Sequence, residues 1–416
     1  MAPGFMGKPF AVAGIAVALC AIVSCAPRPS ASNVEDLAPD AAALLVDREE
    51  LRSAPIEGFA DVLATDPYNY FRFVNTQWAA CVCDRFGGQL ALSPSVRLHG
   101  DAHVTQYALT AQEHGLDDFD DSARGPAVLD FVRFLGSVEL ALRRRGWEGE
   151  RERMFGEFLR GYGLAVENPG YLPPAPACVV RLRKLPVKSQ LEFLAWAESL
   201  MEPYDEATFP ELESGIAAVR KAVAERFPGL PPGFMNLKSV GWLRIGIGSA
   251  LTLKNLGRFE GPTPDAGDDF ILEAKELGDL SQVGCLSLPA GGETTRVLEG
   301  NQSLGRISHE IVVVAPDVRM EGRDWWVRTW ERSYREVAVE DFESPDELAE
   351  LIHDAGAQLG RGHYLLDGGP MEKGLRLKAF AALQRLQPRT SEFSVEMADA
   401  LLAAWEVYRN APRQTQ

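Results

Sequence analysis

The chain has 416 residues, enough for two lobes with packed cores. Its 59 acidic side chains outnumber 42 Lys and Arg, for a formal charge of −17. An acid surplus of that size repels nucleic acid, so no nucleic-acid partner is expected; short basic runs such as Arg143-Arg144-Arg145 read as solvated helix face.

In chain order, Lys8 precedes an apolar run from Phe10 to about Ser24, the layout of a signal peptide and too short for a membrane span. The run ends Ile22-Val23-Ser24-Cys25, which resembles a bacterial lipobox. This predicts a lipoprotein signal peptide over 1–25, lipidation of Cys25 and a lipid-anchored protein of the cell envelope, periplasmic or outer-membrane. The alternatives are an uncleaved anchor, or a mis-assigned start ahead of a cytoplasmic protein. Residues 26–55, rich in Pro, Ser, Ala and acids, read as a flexible tether.

Helical spacing is expected between 57 and 96, around "NYFRFVNTQWAACVCDRF", and "SPSVRLHGD" reads as a short strand entering a loop. "PAVLDFVRFLGSVELALRRRGW" has the apolar stripe of an amphipathic helix ended by Gly146. Helices follow at 150–166 and, after a Pro-rich break, at about 187–227. From 237 the pattern alternates, with glycines at 241, 246 and 248, so strand, tight turn and strand are expected. "FILEAKEL", "HEIVVVAP" and "DWWVRTWER" read as further strands, "TTRVLEGNQSLG" as a short helix, and 344–410 as helical again. Cys81, Cys83, Cys178 and Cys285 allow three full disulfide pairings, left open at this point. No second Cys/His pair follows Cys81-x-Cys83 at zinc spacing, so a structural zinc is not expected.

The chemistry concentrates in "RLHGDAHVTQYALTAQEHGLDDFDDSARGPAVLDF". His99-Gly100-Asp101 ends a strand, and Asp118, Asp120 and Asp121 crowd a turn shortly after. Like charges packed together raise one another's pKa, so such a cluster needs solvent or a cation. Loop carboxylates suit Mg²⁺ shared with a phosphate. The bland alternative is a solvated acidic loop with no ion.

"LHGDAHVTQYALT" followed by "LDDFDDSARGPAVLDFVRFLGS" resembles the paired motifs of the aminoglycoside-phosphotransferase branch of the protein-kinase-like superfamily. The chain is more closely similar to the bacterial DUF2252 family, through these motifs together with "GIGS" (246–249), "EAKEL" (273–277), "RVLEGNQ" (296–302) and "QLGRGH" (358–363), over about residues 60 to 370. The resemblance implies a catalytic Asp101 that accepts a hydroxyl proton, and a Lys275 that contacts nucleotide phosphates. It implies metal binding by Asp118, with Gln106 and Asp120 as further candidates, and a phosphate-covering turn at Gly246, Gly248 and Ser249. Glu299 is implied as the partner orienting Lys275, and Asp130 as the brace between the following helix and the catalytic loop. Arg72 fits the family's Phe-x-Arg-Gly in part, because Phe73 replaces glycine. Two positions depart from the pattern. Gln106 stands where a metal-binding asparagine is expected, and Asp117 replaces the asparagine before Asp118.

The resemblance further implies a two-lobed, protein-kinase-like α+β fold with circularly permuted order, since Lys275 and the glycine turn follow Asp101 by more than 140 residues. The expected parts are a helical lobe (56–235), a β-rich nucleotide lobe (236–335) and C-terminal helices completing the helical lobe (336–410). The expected function is a phosphotransferase or nucleotide-binding protein that uses Mg²⁺ and ATP, or another phosphorylated small molecule, as a monomer reaching a membrane only through its anchor. The alternative is a catalytically degenerate envelope lipoprotein that binds or scaffolds. A two-metal phosphoesterase lacks its ligand histidine (Gln302 stands there), and a serine hydrolase would need a glycine that "GIGSA" lacks. His114, His309 and His353 carry no pattern, His103 is expected to bond the loop backbone, and His363 follows the family.

Overall fold

The computed structural model describes residues 37–411 apart from 50, 52–55, 57, 204–208, 227, 230, 232, 289–292, 310–318, 321–322 and 367–368. The expected signal peptide with Cys25, and most of "HEIVVVAP", therefore lie outside the described residues. Those described fall within one unit, residues 31–416.

The class is mixed α+β, as expected. Helices Phe59–Thr65, Pro67–Phe73 and Asn75–Phe86 lead into β1 (Ser95–Leu98), which pairs antiparallel with β4 (Ala123–Pro126). Between them lie β2 (Tyr107–Leu109) and β3 (His114–Leu116). The centre of the helical part is Val128–Arg145, buried on nearly every side from Val128 to Leu142 and stopped by Gly146 in the left-handed conformation. Arg151–Glu167, Pro345–Gly362 and the long Lys373–Asn410 complete it, with Phe134 stacked on Phe158 and Phe131 edge-to-face with Phe158 and Tyr162 at the shared core.

A six-stranded antiparallel sheet comes from the middle of the chain, in the order β5-β6-β7-β8-β10-β9: Met201–Glu202, Leu237–Leu243, Lys254–Phe259, Phe270–Glu276, Arg323–Thr329 and Arg319–Met320. Side chains alternate between its faces. Leu272, Trp325 and Val327 point to the outer face and pack on the helix Phe209–Arg226. Ile271 and Leu256 point to the inner face and pack on the helix Gln190–Glu198. Further along that inner face the apolar residues give way to Glu273, Lys275 and Lys254, all buried.

Two features differ from expectation. The described residues 39–49 and Leu51 are not free tether: Ala41, Leu44 and Leu51 are buried, and the Tyr70 hydroxyl donates to the Leu44 carbonyl at 2.7 Å. Apolar residues spaced to reach a core outweigh the Pro- and acid-rich composition. The three-stranded sheet of β11 (Arg335–Glu336), β2 and β3 was not predicted, because strands this short carry too few residues for an alternating pattern.

Candidate active site

The site starts from the central helix. Asp130, Arg133 and Ser137 stand three and four residues apart, which aligns them on one face of an otherwise apolar helix. Each holds a piece of the loop after β1. Asp130 accepts from the backbone N–H of His99 at Oδ2 (2.8 Å) and of Gly100 at Oδ1 (3.0 Å), and His363 Nε2 lies 2.9 Å from the same Oδ2. Arg133 Nε donates to Asp101 Oδ1 at 2.8 Å, and its guanidinium lies 3.6 Å over the Phe71 ring. Ser137 Oγ accepts from the Val104 N–H at 3.0 Å. Gly100 has φ +86, and a side chain there would collide with the Asp121 carbonyl oxygen. The His-Gly-Asp loop and the acidic turn thus touch at a position only glycine can occupy.

The acidic turn is built around Asp118, whose φ of 65 is left-handed for a residue with a side chain. Asp118 Oδ1 lies 2.7 Å and Asp120 Oδ2 2.9 Å from Lys275 Nζ. Burial alone would raise the Asp118 pKa, but Lys275 and Arg328 outweigh it and hold the carboxyl well below the usual range. Asp120 goes the other way, raised by burial and by the charge of Asp118. Its Oδ1 is buried with no partner among the described residues. Arg328 on β10 donates to Glu273 Oε2 (2.8 Å) and lies 3.6 Å from Asp117 and 3.7 Å from Asp118. His309 Nε2 is 3.1 Å from Asp117 Oδ1.

Asp101, Asp118, Asp120, Glu273, Lys275, His309 and Arg328 line one cleft of about 670 Å³ between the sheet and the helical part. Asp101, Gln106, Asp118, Asp120, Lys275, Gly246, Gly248 and Ser249 all face it, as does Arg72. The turn 244–253 joins β6 to β7, with Gly246 at φ +97. Trp196 and Trp330 stand near the opening, ring centres 5.7 Å apart, with Trp196 40% exposed.

Contrary to expectation, Glu299 does not orient Lys275 but pairs with Arg124. It accepts from Arg124 (2.8 Å) and lies 3.5 Å from Arg97. The helix Glu293–Leu304 turns that face toward β1 and β4, and the charge of Lys275 is already met by two aspartates. Three participants went unnoticed in the sequence: Arg133, Arg328 and Lys254. Arg133 and Arg328 are charges within largely apolar or aromatic runs, "VLDFVRFLG" and "DWWVRTW", and that pattern was the available signal; Lys254 in "KNLGRF" carries none.

Among the described residues no group of three or more His, Cys, Asp or Glu could hold a metal unaided. The donor set still suits Mg²⁺ shared with phosphate, which needs only one or two carboxylates. Asp118 and Asp120 are two carboxylates of that kind, both paired with Lys275, and Asp120 Oδ1 has no partner among the described residues.

Fold and site define a mixed α+β protein with a deep, charge-lined cleft. Residues 60–172, less than half of the chain, match the model of a family described as "Uncharacterized protein conserved in bacteria (DUF2252)". The matched span holds Asp101, Asp118 and Asp130; the glycine turn and Lys275 lie beyond it. No curated protein and no solved structure matches the chain.

Proposed function

We propose that the cleft binds a magnesium–nucleotide such as Mg·ATP and that the protein is a kinase-like phosphotransferase, with the two lobes of that fold in permuted order. The observation that carries this reading is convergence. Asp101 and Asp118, from the helical part, and Lys275, from a strand more than 150 residues later, meet in one cleft with room for a nucleotide. The permuted fold is supported by the antiparallel order β6-β7-β8-β10, with the glycine turn between its first two strands and Lys275 on the third.

In this reading Asp118 and Asp120 hold the magnesium, with the Gln106 amide oxygen nearby. Magnesium offsets the charge of the phosphate oxygens. Lys275 is poised to exchange its aspartates for those oxygens. Glycine at 246 and 248 lets backbone N–H groups come close to the anion. Asp101 keeps its charge at neutral pH, because Arg133 and His103 outweigh the effect of burial, so it can accept a hydrogen bond from an acceptor hydroxyl and orient it.

Isothermal calorimetry on the purified protein tests the reading. Millimolar Mg·ATP should bind, and Asp118→Ala should abolish binding while leaving the circular dichroism spectrum intact. No heat of binding for the wild type would sink it. A second reading, a degenerate binding module, is favoured by one observation: Asp101 is already tied to a buried arginine. Binding of Mg·ATP with no release of ADP in the presence of varied hydroxyl acceptors would select it.

We also propose a lipid-anchored envelope location. A disulfide between Cys83 and Cys285 supports an oxidising compartment. Cys25→Ser is expected to move the protein from the membrane fraction to the soluble one; unchanged partitioning would count against lipidation at that residue.

A further inference from the structure

We infer that Lys254 is the residue through which the cleft grips an anionic group of its ligand, exchanging its hold on the glycine turn for a phosphate oxygen. The inference rests on the phosphorylated-ligand reading above and adds a contact that neither the motifs nor the family match assigns.

Lys254 begins β7 and stands directly opposite Lys275 on β8, so the two side chains share the inner face of the sheet. Both are almost fully buried, at 3% and 4% exposure. Their electrostatic situations differ. Lys275 is neutralised by Asp118 and Asp120. Lys254 forms no ion pair among the described residues. Its ammonium donates to the Ile245 carbonyl and to Ser249 Oγ (3.1 Å), both neutral. The nearby Glu276 carboxylate is engaged elsewhere, by the Leu253 N–H and by Arg323, each at 2.8 Å.

A buried cation without a counter-ion is costly, and the cost is relieved when an anion arrives. Lys254 lines the cleft, so a ligand can supply that anion. Its present acceptors are the two sides of the glycine turn, and a side chain at Gly246 would come 2.9 Å from its nitrogen. Lys254 therefore holds the turn in shape. A phosphate oxygen is a stronger acceptor than either neutral group, because the bond is charge-assisted on both sides. Of the two lysines, Lys275 is the spoken-for charge and Lys254 the open one.

The charged groups acting on Lys254 are Lys275 and Glu273 on β8, and Asp118 and Asp120 on the acidic turn. Burial, then the repulsion of Lys275, push its pKa down to about 8. The protonated, anion-binding form is thus full at lower pH and lost as pH rises through that value.

The test is calorimetry of the full chain with inorganic tripolyphosphate and, separately, with Mg·ATP, for wild type, Lys254→Gln and Lys254→Arg. Lys254→Gln should weaken tripolyphosphate binding at least about tenfold, and Lys254→Arg should stay within about threefold of wild type. Wild-type affinity should fall between about pH 7 and about pH 9.5, with a flatter profile in Lys254→Gln. If Lys254→Gln does not fold, the wild-type profile and Lys254→Arg still decide. Equal affinity of wild type and Lys254→Gln for both probes overturns the inference and leaves the nucleotide reading standing. Tripolyphosphate bound through Lys254 without binding of Mg·ATP does the reverse. Absence of binding by either probe overturns both.

Discussion

Arg133→Met is expected to destabilise the protein by about 3–5 kcal/mol, the cost of leaving one member of a buried ion pair alone. Arg133 is 2% exposed, binds Asp101 and the Phe71 carbonyl (3.0 Å), and lies over two aromatic rings. Methionine keeps much of the volume and removes the charge. The loss should also depend on pH in a definite direction. Burial would raise the Asp101 pKa, but Arg133 and His103 hold it below the usual range in the native protein. A depressed pKa contributes stability above the unfolded value near 3.9 and loses it as pH falls. In the variant, burial remains without its main compensation, so the pKa rises and stability is instead lost as pH rises. The gap between the proteins should therefore be wider at neutral pH than at about pH 4. Urea melts at both values check this, and an equal gap at both would show that Asp101 is not the group left exposed.

Removing the Cys83–Cys285 disulfide is the other large perturbation. The two residues are 202 apart in sequence. Chain-entropy arithmetic for a closed loop of that length gives roughly 5 kcal/mol, an upper figure because unfolded chains retain structure. The bond ties the helix Asn75–Phe86, beside Asp121, to the segment after β8 that lines the cleft at Leu280. The Cys83→Ser/Cys285→Ser protein should melt well below wild type, and wild type with reductant should follow it. Coincident melts of all three would remove the bond from the stability account. Cys81 cannot readily replace Cys83. It sits two residues away on the helix, which points it in a different direction, and burial pushes its thiol up to about 11, so thiolate is scarce.

Much of this architecture was legible from periodicity. The helix ended by Gly146, the strand carrying Lys275 and the short helix after it all announce themselves by spacing or by a stop residue. The cleft residues were legible as motifs, and geometry brings most of them together. What was not legible depends on tertiary partners. The sequence cannot show that Asp118 and Asp120 share one lysine, or that Glu299 meets Arg124 instead, because those pairings join segments over 150 residues apart. Nor can it choose among disulfides. Lys254 looks like any lysine in an alternating strand until the sheet shows which face is buried.

The pairing of the acidic turn with Lys275 also sets an order of events during synthesis. Asp120 leaves the ribosome 155 residues ahead of the lysine that neutralises it. At about 5–20 residues per second, that is an interval on the order of 10–30 s. Through it the turn carries unbalanced negative charge and must stay hydrated. The left-handed Asp118 and the contact at Gly100 are thus expected to form late, when the sheet arrives, so that the nascent helical half waits with its most polar loop still open.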